Sequence, residues 1–342
     1  MNYRNIFITL AALSGTVTAS AWSAESATVA FLMPDQASTR YEQHDFPGFK
    51  AEMSKLCADC KVIYQNANAN ASLQQQQFNS VIAQGAKVIV LDPVDSSAAA
   101  ALVENAQAQG VKVIAYDRPV PDKPADFYVS FDNEGIGYAI AKSLTDHLKA
   151  SGVPQDAGVL QINGSPTDAA AGLIRDGIHR GLKESGYKTL AEFDTPEWAP
   201  PKAQEWTAGQ VTRFGDKIKG VVAANDGTGG GAIAAFKAAG VQPLPPVTGN
   251  DATIAALQLI IAGDQYNTIS KPSEIVAAAA AKVAVDFIQG KKPQASTTLY
   301  NTPSQLFTPE VVTAKNIKAE IFDKKIQTWD QVCSGVYAAA CQ

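Results

Sequence analysis

Short apolar runs alternate with amphipathic stretches almost from one end of this chain to the other. Thr28–Met33, Val62–Gln65, Val88–Leu91 and Val111–Tyr116 read as strands, with helices predicted over Pro47–Leu56, Leu73–Ala83 and Ser97–Gln109. The alternation resumes with strands at Phe127–Phe131, Gly158–Ile162, Gly220–Ala223, Val247–Gly249 and Asn267–Ile269, and with helices over Gly135–Lys149 and Ala170–Glu184. Brief β-rich runs separated by helical periodicity indicate βαβ units and parallel sheets. At 342 residues the chain exceeds one ordinary hydrophobic core, so two α/β lobes are expected. The only low-complexity feature is the run Gln74–Gln77, which falls on a predicted helix.

The first 21 residues stand apart. Arg4 precedes an apolar stretch from Ile6 to Leu13 and the small residues Ala19-Ser20-Ala21, the order of a secretory signal peptide. The apolar stretch is too short to span a bilayer, which takes about 20 residues. Cleavage is expected after Ala21, with Ala24 as the alternative, and the mature protein is expected in the periplasm. Removing this segment takes away one basic residue and makes the net charge one unit more negative than −5. A mildly acidic chain without a basic block does not gather phosphates, which excludes nucleic acid as a partner.

In such a compartment the four cysteines are expected to pair locally, Cys57 with Cys60 and Cys333 with Cys341. A redox role for Cys57-Ala58-Asp59-Cys60 would favour a helix N-terminus, where the dipole stabilises thiolate. Here the pair closes a helix and precedes a strand, so it reads as structural.

In parallel α/β sheets ligands bind beyond the carboxyl ends of the strands. Five strand ends in succession deliver polar side chains: Asp117-Arg118, Asn163 through Asp168, Asn225-Asp226, Asn250-Asp251 and Ser270-Lys271. One such residue is ordinarily a helix cap or turn former, but five in a row point to a shared site.

These segments resemble a known family, the periplasmic sugar-binding proteins of ABC importers, with the type I periplasmic binding fold, and within it the D-xylose- and multiple-sugar-binding group. The resemblance rests on Ala115-Tyr116-Asp117-Arg118, Ser130-Phe131-Asp132-Asn133-Glu134, Gly164-Ser165-Pro166-Thr167-Asp168, Asn225-Asp226, Gly249-Asn250-Asp251-Ala252 and Lys271-Pro272, in the family's order and spacing. It implies two doubly wound parallel-sheet lobes joined by three hinge strands, one formed by 22–132 plus 270–304 and the other by 133–269 plus 305–342. Crossings are expected near Phe131–Asn133, Thr268–Ser270 and Ser304–Leu306. It also implies a monosaccharide, a pentose or hexose aldose, held by Arg40, Tyr41, Arg118, Asp168, Trp198, Asn225, Asp251 and Lys271. Two positions depart from the xylose-binding pattern: Tyr41 replaces a tryptophan and Ala170 an asparagine, which leaves the identity of the sugar open.

The chemistry suits that ligand. Arg118, Asp168, Asn225 and Asp251 are planar groups able to engage adjacent hydroxyls, while Trp198, in a proline-rich loop and so expected exposed over a cleft, and Tyr41 can cover the apolar faces of a sugar ring. Arg40, Arg118 and Lys271 are expected to keep the carboxylates ionised. Asp117 and Asp132 read as structural acids. Closure about the hinges would present the loaded form to an ABC permease and, as a further option, to a chemoreceptor; the protein is expected to be a monomer.

The main alternative is an NAD-dependent sugar oxidoreductase, since Gly227-Thr228-Gly229-Gly230-Gly231-Ala232 fits G-x-G-x-x-A. Asp226, however, would set a carboxylate beside the pyrophosphate, and the glycines read as close helix–sheet packing. A glycosidase would use paired carboxylates with one protonated, against the effect of the neighbouring cations. His44, His147 and His179 have no evident nucleophile or metal partner, and no G-x-S-x-G or H-E-x-x-H occurs. The expectation is a binding protein, not an enzyme, without cofactor or metal.

Overall fold

The computed structural model describes residues 26–341, so the expected signal peptide lies outside the described residues. Strand β1 (Thr28–Met33) is buried along almost its whole length. Val29, Phe31 and Met33 enter one apolar core, whereas Ala30 and Leu32 enter another on the opposite face. β3 (Ala86–Leu91) divides in the same way, with Val88 and Val90 on one face and Ile89 and Leu91 on the other. Strands buried on both faces lose the alternation of a half-exposed sheet and read as continuous apolar runs.

The first lobe is built on a seven-stranded sheet. β2 (Lys61–Asn66), β1, β3, β4 (Lys112–Tyr116), β5 (Phe127–Phe131) and β11 (Thr302–Phe307) run parallel in that order, and β10 (Thr297–Leu299) adds an antiparallel edge. Helices α1 (Phe46–Leu56), α2 (Ala71–Ala83), α3 (Ala99–Ala108) and the late α9 (Ser273–Ile288) cover its two faces. In the second lobe β7 (Lys188–Asp194), β6 (Gly158–Asn163) and β8 (Ile218–Ala223) form a parallel sheet, and β9 (Asn267–Ser270) pairs antiparallel with β12 (Glu310–Thr313). The predicted strand Val247–Gly249 reduces to one bridge, Val247 with Val221, tying the two pieces together. Its surroundings are helices α4 (Asn133–Ala150), α5 (Ala169–Ser185), α6 (Pro200–Phe214), α7 (Asp226–Ala238) and α8 (Ile254–Ile261), with a short C-terminal helix, α10 (Trp329–Val332).

The chain passes between sheets three times: from β5 into α4, from β9 into α9, and from β11 into β12. All six residues of β11 belong to the first sheet. The expected division between 304 and 305 therefore cuts a strand, and the passage falls after Phe307. Both disulfides are present: Cys57 caps the C-terminal end of α1 and joins Cys60 at the edge of β2, and Cys333 joins Cys341. Among the described residues no helix is long and apolar enough to cross a membrane.

Helices α4 and α5 approach at backbone distance because glycines face each other. A Cβ on Gly137 would lie 1.9 Å from the Ile174 carbonyl oxygen, and one on Gly177 would lie 2.1 Å from that of Glu134. Neither obstacle is a movable side chain. Gly177→Ala is expected to lower stability by about 1–3 kcal/mol through overpacking, read from the urea midpoint, whereas Gly172→Ala, which meets nothing within 4 Å, should leave it unchanged or slightly higher.

Candidate functional site

The carboxyl ends of the parallel strands from both lobes face one another. The segment after β1 forms a π-type turn, Tyr41–Asp45, and brings in Ser38, Arg40 and Tyr41. Asp117 and Arg118 follow β4, and Asn133 opens α4 after β5. From the second lobe come Asp168 and Ala170 at the start of α5, Trp198 in a short turn, Asn225 after β8, and Asn250 and Asp251 after the 247 bridge. Lys271 follows β9. Together these line one cavity of about 30 Å³ between the lobes. All eight residues singled out from the sequence, Arg40, Tyr41, Arg118, Asp168, Trp198, Asn225, Asp251 and Lys271, are on its wall.

The cavity lining carries three cations and three carboxylates. Arg118 is the hub. Its guanidinium donates to Asp35 Oδ2 at 2.7 Å and to the Pro93 carbonyl at 3.1 Å, and its Nε lies 3.4 Å from Asp92 and 3.3 Å from Asp168, across the seam between the lobes. Arg40 bridges Asp45 at 2.8 Å and Asp117 at 2.5 Å. Lys271 sits 3.0 Å from Asp251 and 3.9 Å from Asp117. Burial alone would raise the Asp117 carboxyl, but Arg40, Lys271 and Arg118 outweigh it and hold Asp117 well below the usual carboxylate range. For Asp168 burial wins, and its carboxyl is raised despite Arg118 and the Trp198 N–H.

Local folding fixes these groups. Asp168 caps α5 through the Ala170 amide at 2.8 Å, while its other oxygen accepts the Trp198 indole N–H at 3.0 Å. Asn225 caps α7, its carbonyl oxygen accepting the Thr228 amide at 2.9 Å, and also lines the cavity. Both residues thus cap a helix and also line the cavity. Trp198 is 8% exposed, so the exposed position expected from its proline-rich loop is replaced by a buried one. Its ring lies where a Cβ on Gly164 would be, 2.1 Å away, and only glycine there allows that approach. Tyr41 is fully packed, donates to Asp117 at 3.1 Å and carries the Arg40 guanidinium over its ring at 4.8 Å.

Asp117, Trp198 and Asp251 all have positive φ, at 57°, 55° and 111°. For residues with a Cβ this is strained, and such strain persists where surrounding contacts over-determine the backbone. At Asp117 the carbonyl accepts the Tyr128 hydroxyl at 2.7 Å and the Ser130 hydroxyl at 2.9 Å. At Asp251 the backbone N–H donates to Ile269 of β9 at 3.0 Å.

Five lining residues went unassigned in the sequence: Ser38, Asp117, Asn133, Ile174 and Asn250. Asn133 and Asn250 sit inside the segments that carry the family resemblance, so their signal was present. Asp117 was read as a structural acid; it does brace Arg40, and it also faces the cavity. Asp132 is the N-cap of α4, a structural role. Asp35 and Asp92 stand behind Arg118, visible only once the strands are assembled. The glycine-rich start of α7 serves packing at two positions: a Cβ on Gly229 would meet the Thr248 carbonyl at 2.6 Å, and one on Gly231 that of Pro200 at 2.5 Å.

Two α/β lobes closing strand ends over a buried polar cavity define the two-lobed class of solute-binding proteins. A family profile described as a periplasmic binding protein domain matches residues 29–292. The D-xylose-binding periplasmic protein of Escherichia coli K12 is 37% identical over 326 residues, covering 93% of this chain and 96% of that one. The multiple sugar-binding periplasmic receptor ChvE of Rhizobium radiobacter is 28% identical over 96% of this chain and 99% of its own. Among solved structures, a carbohydrate transporter solute-binding protein from Chloroflexus aurantiacus in complex with D-glucose superposes with a TM-score of 0.80 at 26% identity, covering 89% of this chain and 97% of that one. The chain belongs to the periplasmic binding protein family. The sugar-binding reading of the sequence agrees with these relatives, and neither the oxidoreductase nor the glycosidase has a counterpart among them.

One buried acid beside the cavity titrates far from its usual range. Asp226 is pushed up to about 7 by burial and by the facing Asp251, against donor bonds from the Thr253 backbone and the Thr268 and Thr253 hydroxyls. A carboxyl raised in the folded state binds a proton that the unfolded chain has released, so its contribution is present below about pH 4 and lost as pH rises to about 7. Asp226→Asn is therefore expected to flatten the wild-type decline in stability over that window, measured as urea midpoint against pH.

Proposed function

We propose that this protein captures a neutral monosaccharide, a pentose or hexose aldose, between its two lobes and delivers it to an ABC permease in the periplasm. The observation that carries this reading is a cavity whose walls come from both lobes and whose three cations balance three carboxylates. A lining without net charge favours an uncharged ligand over a sugar acid or an amino sugar. Its planar donors and acceptors match a rim of hydroxyls, and charge-assisted bonds of this kind are the stronger ones. Trp198 and Tyr41 supply flat apolar surface for the C–H faces. Arg40, Arg118, Asp168, Asn225, Asp251 and Lys271, with Asp117, Asn133 and Asn250, are assigned as the polar contacts.

In the closed arrangement these groups bond one another, as Tyr41 does Asp117 and Trp198 does Asp168. Loading separates the lobes at the three crossing segments and exchanges those bonds for sugar hydroxyls. Contacts from both lobes then favour closure, because a ligand shifts an equilibrium only by its differential affinity for the two states. The relatives' names and the sugar in the matched structure support the ligand class; Tyr41 and Ala170 leave the choice of aldose to this chain's own cavity.

Thermal denaturation across a panel of aldoses tests the proposal. The cognate sugar at a hundredfold excess over its dissociation constant is expected to add about 2.7 kcal/mol of stability. Arg118→Lys should weaken that sugar by about tenfold or more, since an ammonium cannot span Asp35, Asp92 and Asp168 as a guanidinium fork does. A panel in which no monosaccharide raises the melting temperature would overturn the ligand class.

A further inference from the structure

Outside the seam lies a groove of about 630 Å³, twenty times the inner cavity. The two share five lining residues: Ser38 and Arg40 from the first lobe, and Trp198, Asn225 and Asp251 from the second. The inner site and the groove are therefore neighbouring spaces that share side chains at the closing line.

The groove is walled by α6, α7 and α8 of the second lobe and by residues 37–43 of the first. Pro200 and Pro201 present flat apolar faces, and Gln43, Gln204 and Gln258 present amides. No Lys, Arg, Asp or Glu lines it other than Arg40 and Asp251, which it shares with the inner cavity, and Asp226, whose carboxylate is committed to Thr253, Thr268 and Gln265. Uncharged amides beside flat apolar patches are again suited to a polyol ring.

The floor supplies a second, independent observation. Gly229 and Gly231 of α7 are required by close packing, but a Cβ on Gly230 would meet nothing within 4 Å. Gly230 has no positive φ, and it lines the groove. A glycine inside a helix costs about 1 kcal/mol relative to alanine, and neither packing nor backbone conformation explains that cost here. What the missing side chain does provide is open space on the floor of the groove.

We infer that the groove is a second subsite, which takes the next ring of a ligand whose first ring occupies the inner cavity. The ligand class is thereby extended from a free aldose to a disaccharide or glycoside, with the glycosidic bond passing the line between Arg40 and Asn225. The inference rests on the proposed sugar-binding function of the inner cavity.

Isothermal titration of D-xylose, D-glucose, xylobiose, cellobiose and maltose against the wild type, Gly230→Trp and Gln204→Ala tests it. At least one disaccharide is expected to bind the wild type as tightly as its own monosaccharide or better. Gly230→Trp, which fills the groove from its floor, should weaken that disaccharide by about tenfold or more while leaving the monosaccharide within about twofold. Should Gly230→Trp fail to unfold cooperatively, Gln204→Ala carries the comparison, with an expected loss of about threefold confined to the disaccharide. Binding of a monosaccharide but of no disaccharide, or disaccharide binding indifferent to both substitutions, overturns the second subsite and leaves the inner site standing. Failure of every sugar overturns both.

Discussion

The structure depends on burying a cluster of opposite charges along the line where two lobes meet. A single ion moved out of water into a protein interior costs several kcal/mol unless partners are already in place. Here each cation has at least two carboxylate partners. Arg118 faces Asp35, Asp92 and Asp168, Arg40 faces Asp45 and Asp117, and Lys271 faces Asp251 and Asp117. Most of these contacts lie within the first lobe, which holds its cations ready whether or not the second lobe is near. The Arg118–Asp168 contact crosses between the sheets. The same lattice of opposite charges positions the groups assigned to the ligand, so one electrostatic arrangement serves both stability and recognition.

Around that lattice the backbone is held in conformations it would not choose alone. Three residues of the cavity wall, Asp117, Trp198 and Asp251, have positive φ, and strain of this kind amounts to on the order of 1 kcal/mol per residue. Each is fixed by a neighbouring strand or turn: Asp117 by hydroxyls from β5, Asp251 by β9, and Trp198 by the Thr195 carbonyl. Because β5 and β9 are also the strands that lead from one lobe to the other, the wall of the site and the route of the chain are mechanically one unit. Asp226 extends this connection by joining Thr253, next to the strained loop, to Thr268 within β9.

Much of this was legible in the sequence, and the exceptions have physical reasons. Strands such as β1 and β3 announce themselves because both faces are buried and the apolar run is unbroken. β7 has only partly buried and exposed residues along its length and carries no comparable signal, and Val247 is a strand reduced to one bridge. Eight of the residues lining the cavity were found because they follow a strand, lie in the segments that resemble the family or, as for Trp198, are implied by that resemblance. Asp35 and Asp92 were not, because their part is defined by the position of Arg118, distant in sequence. The burial of Trp198 was hidden for a similar reason: a proline-rich loop looks solvated until Gly164 is seen to leave room for the indole.

The position of β11 has a consequence for how the chain reaches this state. Its partner β5 ends near residue 131, whereas β11 begins at Thr302, so the first sheet is completed by a pairing between segments about 170 residues apart. Contacts of such separation are slow to form, because the intervening loop must be closed before any of their energy is returned. The lobe that is begun first therefore stays incomplete until β11 is available. Until β11 pairs with it, β5 remains an open edge with unsatisfied backbone groups, and the second lobe in turn waits for β12 and α10, which follow β11 in the chain.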